Sequence, residues 1–332
     1  MSKDRIPTRA MPGFMELLPA EQRVFNWMRS VIQEGYETFG FVPLQTPIME
    51  RSEVLLAKAG GETEKQIYTV SKLDTDPTTD IAIRFDLTVP LARYVAEHFH
   101  NLTFPFRRYA IGRVYRGEKP QAGRFREFYQ ADIDVIGNQI LSIRYDAEIP
   151  SVIFTIFRKL GFEQFTIRIN NRRVLNGFFE GLEISKRAPE VLRALDKLDK
   201  QGQDQVRKDL EKLGIDSTII DKIFEFTDIR GTPEAIFDAL NSLGIDNTVL
   251  QTGIDELQQV VQIIRQLGVP DEYFTVDLTI ARGLGYYTGT VYETQLDEYP
   301  EIGSVCSGGR YDDLASYFTD RKLPGVGISI GL

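Results

Sequence analysis

The chain has 332 residues, 42% of them hydrophobic and 26% charged, with a net charge of -9. That balance describes a globular protein able to bury a large core across one or two domains, and it excludes a disordered or fibrous chain and an indiscriminate nucleic-acid binder. No apolar run approaches the roughly 20 residues that span a bilayer and the amino terminus MSKDRIPTRAMPGF has no apolar signal segment, so a cytoplasmic location away from membranes is predicted.

The first predicted element is a helix from Pro19 to Phe39, with Val24, Met28, Val31, Ile32, Tyr36 and Phe39 at helical spacing, Pro19 suited to its start and Gly40 to its stop. FVPLQTPIME reads as a strand interrupted by Pro43 and Pro47, which places it at an edge or an interface. QIYTVS and IAIRFD read as a hairpin joined by DTDPTTD, with Arg84, Asp86 and Thr88 along one face. The two histidines, His98 and His100, fall on different faces of a helix that follows Pro90 and read as surface or packing residues.

Between Arg107 and Gly137 lies RRYAIGRVYRGEKPQAGRFREFYQADIDVIG, a strand, a basic loop and a second strand. Arg107, Arg108, Arg113, Arg116, Lys119, Arg124 and Arg126 face a single acid, Glu118, within an acidic chain, and such a local excess of cations suggests a phosphate ligand. On the second strand Phe128, Gln130, Asp132 and Asp134 share one face while Tyr129, Ala131, Ile133 and Val135 share the other. The polar face fits either a half-exposed strand or a cleft wall. Arg116 at the loop mouth, with Pro120 and Gly123 bending the loop back over the sheet, favours the cleft.

LSIRYDAEIPSVIFTIFRKLGF reads as a helix and FTIRIN as a strand. Residues 172–270 change character to short charged amphipathic helices such as VLRALDKLDK and LQQVVQIIRQLG, punctuated by Gly214, Gly231, Gly244 and Gly253, and read as a helical insertion. Strand character returns in FTVDLTIARGLGYYTGTVYET, where Gly283, Gly285 and Gly289 mark close approaches of a ligand or another backbone. SGGRYDDL reads as a glycine turn opening a helix, with Asp312 and Asp313 favourable to the helix dipole. GVGISIGL reads as a strand with one bare face, suited either to a flat ligand or to tight packing against backbone. The lone cysteine, Cys306, excludes an internal disulfide and a multi-cysteine metal site.

Several of these segments together resemble a known family. VYRGEKP, GRFREFYQ and DID are similar to motif 2 of the class II aminoacyl-tRNA synthetases, and Pro47 is similar to the proline of motif 1. ARGLGYYTGTVYE and SGGRYDDL resemble the two histidine-specific motifs of the histidyl-tRNA synthetases, and FDLTVPLARY, from Phe85 to Tyr94, matches as well. Several motifs in the family's order make a chance match improbable. The resemblance implies an α+β fold, a class II synthetase-like mainly antiparallel sheet flanked by helices. Residues 1–171 and 271–332 would form the catalytic core, with 172–270 a helical insertion domain that touches the tRNA acceptor stem. It also implies a homodimer built through motif 1, activation of L-histidine with ATP and Mg to histidyl-adenylate and pyrophosphate, and transfer of histidine to its tRNA.

The resemblance assigns roles by position. Arg116 would hold the α-phosphate and Arg124 lie near the γ-phosphate. Phe128 would stack on adenine and Glu118 help to place the base and loop. Asp86, Thr88 and Gln130 would receive the α-ammonium of histidine, with Leu87 also among the histidine-binding residues; Asp134, Tyr286 and Tyr287 would read the imidazole. Arg282 would join Arg116 as a catalytic cation beside the carboxylate and α-phosphate. No protein-held metal is expected, since zinc ligands are missing. Gly285 stands where many relatives carry an acid. The resemblance also implies that Gly331 and Leu332 fall just before the motif 3 helix, as in a catalytic-core fragment lacking the C-terminal anticodon-binding domain and impaired in activity. The rival within the same fold is the regulatory subunit of ATP phosphoribosyltransferase, a histidine-binding paralogue that does not aminoacylate.

Overall fold

The computed structural model describes residues 6, 8–57, 64–73, 79–121, 123–195, 201–280 and 286–332. Among them, eight strands make one sheet in the order β1-β4-β5-β10-β9-β8-β6-β7, in which β1 (Val42–Pro43) and β7 (Phe274–Val276) are the parallel edges. The six strands between, β4 (Phe106–Tyr115), β5 (Glu127–Ile136), β10 (Gly325–Gly331), β9 (Ser304–Tyr311), β8 (Thr290–Leu296) and β6 (Phe165–Asn171), run antiparallel to one another in turn. The expected mainly antiparallel sheet is therefore present. A second, two-stranded sheet pairs β2 (Met49–Arg51), which runs into the short helix α2 (Ser52–Leu56), with β3 (Ile81–Ile83).

Helices cover one face of the large sheet. Helix α1 (Pro19–Thr38) starts where Pro19 supplies a preset φ and the Glu21 carboxylate accepts the Leu18 N–H at 2.7 Å, and it stops before Gly40 at φ 78°. Its Ile32 and Tyr36 pack with Ile149, Ile153 and Ile156 of α4 (Arg144–Lys159) on the apolar side of β5, formed by Ala131, Ile133 and Val135. The Tyr36 hydroxyl donates to Ala131 O at 2.7 Å, which fastens α1 to that strand. The opposite side of β5 is also buried: Gln130, Asp132 and Asp134 are 8%, 2% and 2% exposed, so the half-exposed reading is set aside.

In 172–270 the helices α5 (Arg172–Gly181), α6 (Ala188–Leu195), α7 (Gln203–Lys212), α8 (Ser217–Asp228), α9 (Pro233–Ser242) and α10 (Thr248–Gln266) follow one another. Asn171, Asp216, Thr232 and Asn247 each cap a helix by accepting an N–H of its first turn, which is why the segment breaks into short pieces. Residues 196–200, the end of VLRALDKLDK, lie outside the described residues. Gly253 proves not to be punctuation. It sits inside α10, where a Cβ would lie 2.6 Å from Val174 N, so its missing side chain lets α10 approach α5.

Other expectations are corrected by tertiary pairing. FVPLQTPIME is not one strand: Pro43 closes the edge strand β1, Pro47 lies between elements, and Met49 joins the small sheet. The predicted QIYTVS strand contributes one bridge, Thr69 to Ala82, and residues 74–78 of its turn lie outside the described residues. IAIRFD leaves the strand after Ile83, so Arg84, Asp86 and Thr88 do not continue a strand face. Helix α3 (Thr88–Glu97) ends before both histidines, which pack by their rings against Tyr94 and Phe99. SGGRYDDL is not a turn opening a helix: SGGRY is the end of β9, and a short 3-10 turn follows at Leu314–Tyr317. A Cβ on Gly308 would stand 2.1 Å from Gly327 O, so the glycine permits close strand pairing there.

Candidate active site

The polar face of β5 forms the floor of a cleft with two compartments. The inner one, about 350 Å³, is lined by residues that include Asp86, Thr88, Asp132, Asp134, Tyr286, Tyr287 and Tyr311. The outer one, about 390 Å³, is lined by residues that include Glu118, Phe125, Phe128 and Gly331. Arg116, Arg124 and Gln130 line both and mark the passage between them.

At the inner end, a buried triad joins three strands. Arg108 of β4 reaches Asp134 Oδ2 of β5 at 3.0 Å, and the Tyr311 hydroxyl of β9 donates to Asp134 Oδ1 at 2.7 Å. Arg108 is 1% exposed and also donates to Leu87 O at 2.7 Å. Gly327 makes the arrangement possible, because a Cβ there would lie 2.5 Å from Asp134 Oδ1. The bare face of GVGISIGL thus serves both readings: Gly327 accommodates a carboxylate, while Ser329 and Gly331 line open space.

Two further carboxylates stand nearby with unspent capacity. Asp86 accepts the Val89 N–H at 3.1 Å through Oδ1, and its buried Oδ2 has no hydrogen-bond partner among the described residues. The same holds for Oδ1 of Asp132. Burial lifts the Asp132 carboxyl to about 7, with Arg108 pulling it down and Asp134 pushing it up. Burial likewise lifts Asp86 to about 6, against the Val89 N–H and Arg116. Such a pocket is tuned to receive a cation, which would restore both carboxylates to the charged form.

A pH dependence follows. Both groups hold their protons more tightly in the folded chain than the ordinary carboxylate value of about 3.9 allows, so between about pH 4 and pH 7 the folded state binds extra protons and loses stability as pH rises. Asp132→Asn is expected to flatten that slope between about pH 4 and pH 7 and to raise stability at the upper end. Urea unfolding across this range checks it; equal slopes in parent and variant would contradict it.

The outer compartment has the opposite character. The Arg116 guanidinium lies 5.2 Å from the centroid of the Phe128 ring and its Nε donates to Phe85 O at 3.1 Å. Arg124 stands 3.5 Å from Glu118 at the mouth. An aromatic face flanked by two guanidinium groups suits a base attached to phosphates. The wider basic cluster does not converge here. Arg107 turns to the helical face, where it pairs with Glu148 at 2.8 Å and covers Phe41. Arg113 pairs with Glu127 at 3.6 Å, and Arg126 donates to Glu118 O. Arginines alternating along a strand point to opposite faces, so sequence proximity overstated the patch.

Of the predicted residues, Asp86, Thr88, Arg116, Gln130, Asp134, Tyr286, Tyr287, Glu118, Arg124 and Phe128 all line the cleft. The Leu87 side chain instead packs beneath it with Ala110 and Val114, and Arg282 lies outside the described residues, as do Gly283 and Gly285. Arg108 and Tyr311 join the site without any local signal in the sequence, and Asp132 is marked only by the period of two. The Cys306 thiol lines the outer compartment and is pushed up by burial, so it is a poor nucleophile.

Comparison with known proteins agrees with this geometry. The family model described as Histidyl-tRNA synthetase matches residues 13–332. The chain is 60% identical to the histidine-tRNA ligase of Clostridium tetani over 332 residues, all of this chain and 74% of that one. It is 52% identical to the ligase of Stenotrophomonas maltophilia, covering 98% of this chain and 74% of the relative. The crystal structure of histidyl-tRNA synthetase from Nostoc sp. PCC 7120 superposes with a TM-score of 0.88 at 44% identity, covering 98% of this chain and 74% of that one. A Bacillus halodurans structure described as an ATP phosphoribosyltransferase regulatory subunit/histidyl-tRNA synthetase has a TM-score of 0.83 at 22% identity, covering 98% of this chain and 82% of that one, a likeness of fold alone. The family match across both compartments of the cleft, together with identities of 60% and 44% to named ligases and synthetases, places the chain in the histidyl-tRNA synthetase family.

Proposed function

We propose that the chain acts as a histidine-tRNA ligase in which the two compartments hold histidine and ATP end to end. The observation that carries this is the position of Arg116, whose side chain lines both. A histidine in the inner compartment and an ATP in the outer one would bring carboxylate and α-phosphorus together beside that guanidinium. A carboxylate oxygen attacks the α-phosphorus, the bond to the pyrophosphate oxygen breaks, and histidyl-adenylate forms. The acyl group then passes to a hydroxyl of the terminal adenosine of the tRNA, releasing AMP. Such in-line displacement needs positioning and charge neutralisation rather than a covalent nucleophile.

In this reading Asp86, Thr88 and Gln130 receive the α-ammonium, and Asp134, held by Arg108 and Tyr311, reads an imidazole N–H with Tyr286 and Tyr287 alongside. Phe128 stacks on adenine, Glu118 orients the loop, and Arg124 meets the terminal phosphates. Arg282 supplies a second cation beside the reacting atoms. Mg would accompany ATP as its counter-ion, held by the phosphate oxygens, whose charge it would help to neutralise.

The division into a core, 1–171 with 271–332, and a helical insertion, 172–270, is part of the same proposal, with the insertion facing the tRNA. So is a homodimer, supported by the exposed apolar side chains of Val24, Trp27, Val42 and Met49 on α1, β1 and β2. A cytoplasmic site of action fits the substrates. No helix among the described residues is long and apolar enough to cross a membrane. The regulatory-subunit reading has weaker support, because its similarity is to the fold alone.

The test is exchange of labelled pyrophosphate into ATP. Exchange is expected to require histidine and to be absent with other amino acids; exchange that ignores which amino acid is present would overturn the reading.

A further inference from the structure

The segment from Arg84 to Thr88 carries two groups assigned to the histidine ammonium, Asp86 and Thr88, but it belongs to no strand. Strand β3 ends at Ile83 and α3 begins at Thr88. Arginine side chains hold its carbonyls in place of a ladder: Arg116 donates to Phe85 O at 3.1 Å and Arg108 to Leu87 O at 2.7 Å. Arg84 sits at the root of this arm and joins it to two other segments. Its backbone N–H donates to Ile48 O at 3.0 Å and its carbonyl accepts from Tyr115 N–H at 3.1 Å. Its side chain repeats both attachments, with Nη1 donating to Thr46 O at 2.8 Å and Nε to Arg113 O at 2.9 Å.

Arg84 is 3% exposed, and its guanidinium lies against β4 where that strand carries glycine; a Cβ on Gly112 would stand 2.5 Å from Arg84 Nη2. A planar, forked donor can bond two carbonyls at fixed angles, which a lysine ammonium reaches only one at a time from a flexible stem. Asp86 is two residues further along; it lines the inner compartment, and its buried Oδ2 has no hydrogen-bond partner among the described residues. A shift at the root therefore moves that oxygen.

We propose that Arg84 is a positioning residue for histidine recognition, setting the arm that presents Asp86 and Thr88. This rests on the reading of the inner compartment as the histidine site. Phe128, Arg124 and Glu118 of the nucleotide compartment stand on β5 and the basic loop, outside this arm; Arg116 touches the arm at Phe85 O, but its effect is expected chiefly in kcat, so the two KM values separate.

Two variants test it by the pyrophosphate exchange assay. Arg84→Lys retains the charge and loses the fork; Gly112→Ala retains Arg84 and presses on its tip. Each is expected to raise the KM for histidine by about tenfold or more while the KM for ATP stays within about twofold. If Arg84→Lys does not fold, Gly112→Ala carries the test alone. Equal rises in both KM values, or no change in either, would overturn the role of Arg84 while leaving the reading of the cleft intact. A parent chain without histidine-dependent exchange would overturn that reading and this proposal with it.

Discussion

Arg116→Ala is expected to lower histidine-dependent pyrophosphate exchange by about a thousandfold, chiefly in kcat. The side chain lies where the two compartments meet, fixed by its bond to Phe85 O and by the Phe128 ring. Negative charge develops on the α-phosphoryl oxygens as the new bond forms, and a cation already in place stabilises it without reorganisation. In the proposed reading, binding of each substrate alone would draw mostly on other groups: Asp86, Gln130 and Asp134 for histidine, Phe128 and Arg124 for ATP. Calorimetric affinities for histidine are therefore expected to fall by no more than about tenfold, which separates a loss of transition-state stabilisation from a loss of the site. A fall in affinity as large as the fall in rate would contradict this division.

Asp134→Asn has the second large effect, and it acts on stability as well as on recognition. The carboxylate and Arg108 are both almost wholly buried, 2% and 1% exposed, at 3.0 Å. Neutralising one partner leaves an uncompensated guanidinium beneath the cleft, at about 3–5 kcal/mol of folding stability. Burial raises the Asp134 carboxyl, while Arg108 and the Tyr311 hydroxyl act against that rise and favour the charged form. Equilibrium unfolding in urea and titration with histidine measure the two consequences. The expected result is a lower midpoint and a loss of histidine affinity of about a hundredfold or more. Parental stability in the variant would show that the Arg108 charge is met elsewhere.

The helix α1, the β4 and β5 hairpin and the two faces of β5 were legible from residue order, because each rests on a period of two or 3.6 residues or on local stop signals such as Pro19 and Gly40. The same alternation that put Ala131, Ile133 and Val135 in the core put Gln130, Asp132 and Asp134 on the cleft floor. The residues of VYRGEKP and GRFREFYQ were enough to suggest a nucleotide and a family. Where local signals were ambiguous, the reading went astray: glycines in SGGRYDDL fit a turn as well as a strand, and only pairing with β8 and β10 selects the strand.

Sequence by itself determined which side chains could do the chemistry and which face of β5 they share, since covalent geometry sets the direction of neighbouring side chains. Tertiary structure decided which charges meet. Arg108, Asp134 and Tyr311 come from three strands, the last two separated by 177 positions, and nothing local brings them together. It also scattered the arginines of the basic segment: Arg107 went to Glu148 on the helical face, Arg108 went beneath the cleft, and Arg116 stayed at the junction of its compartments. A charge's partner is set by distance and burial in space, and those quantities exist only once the sheet has closed over its helices.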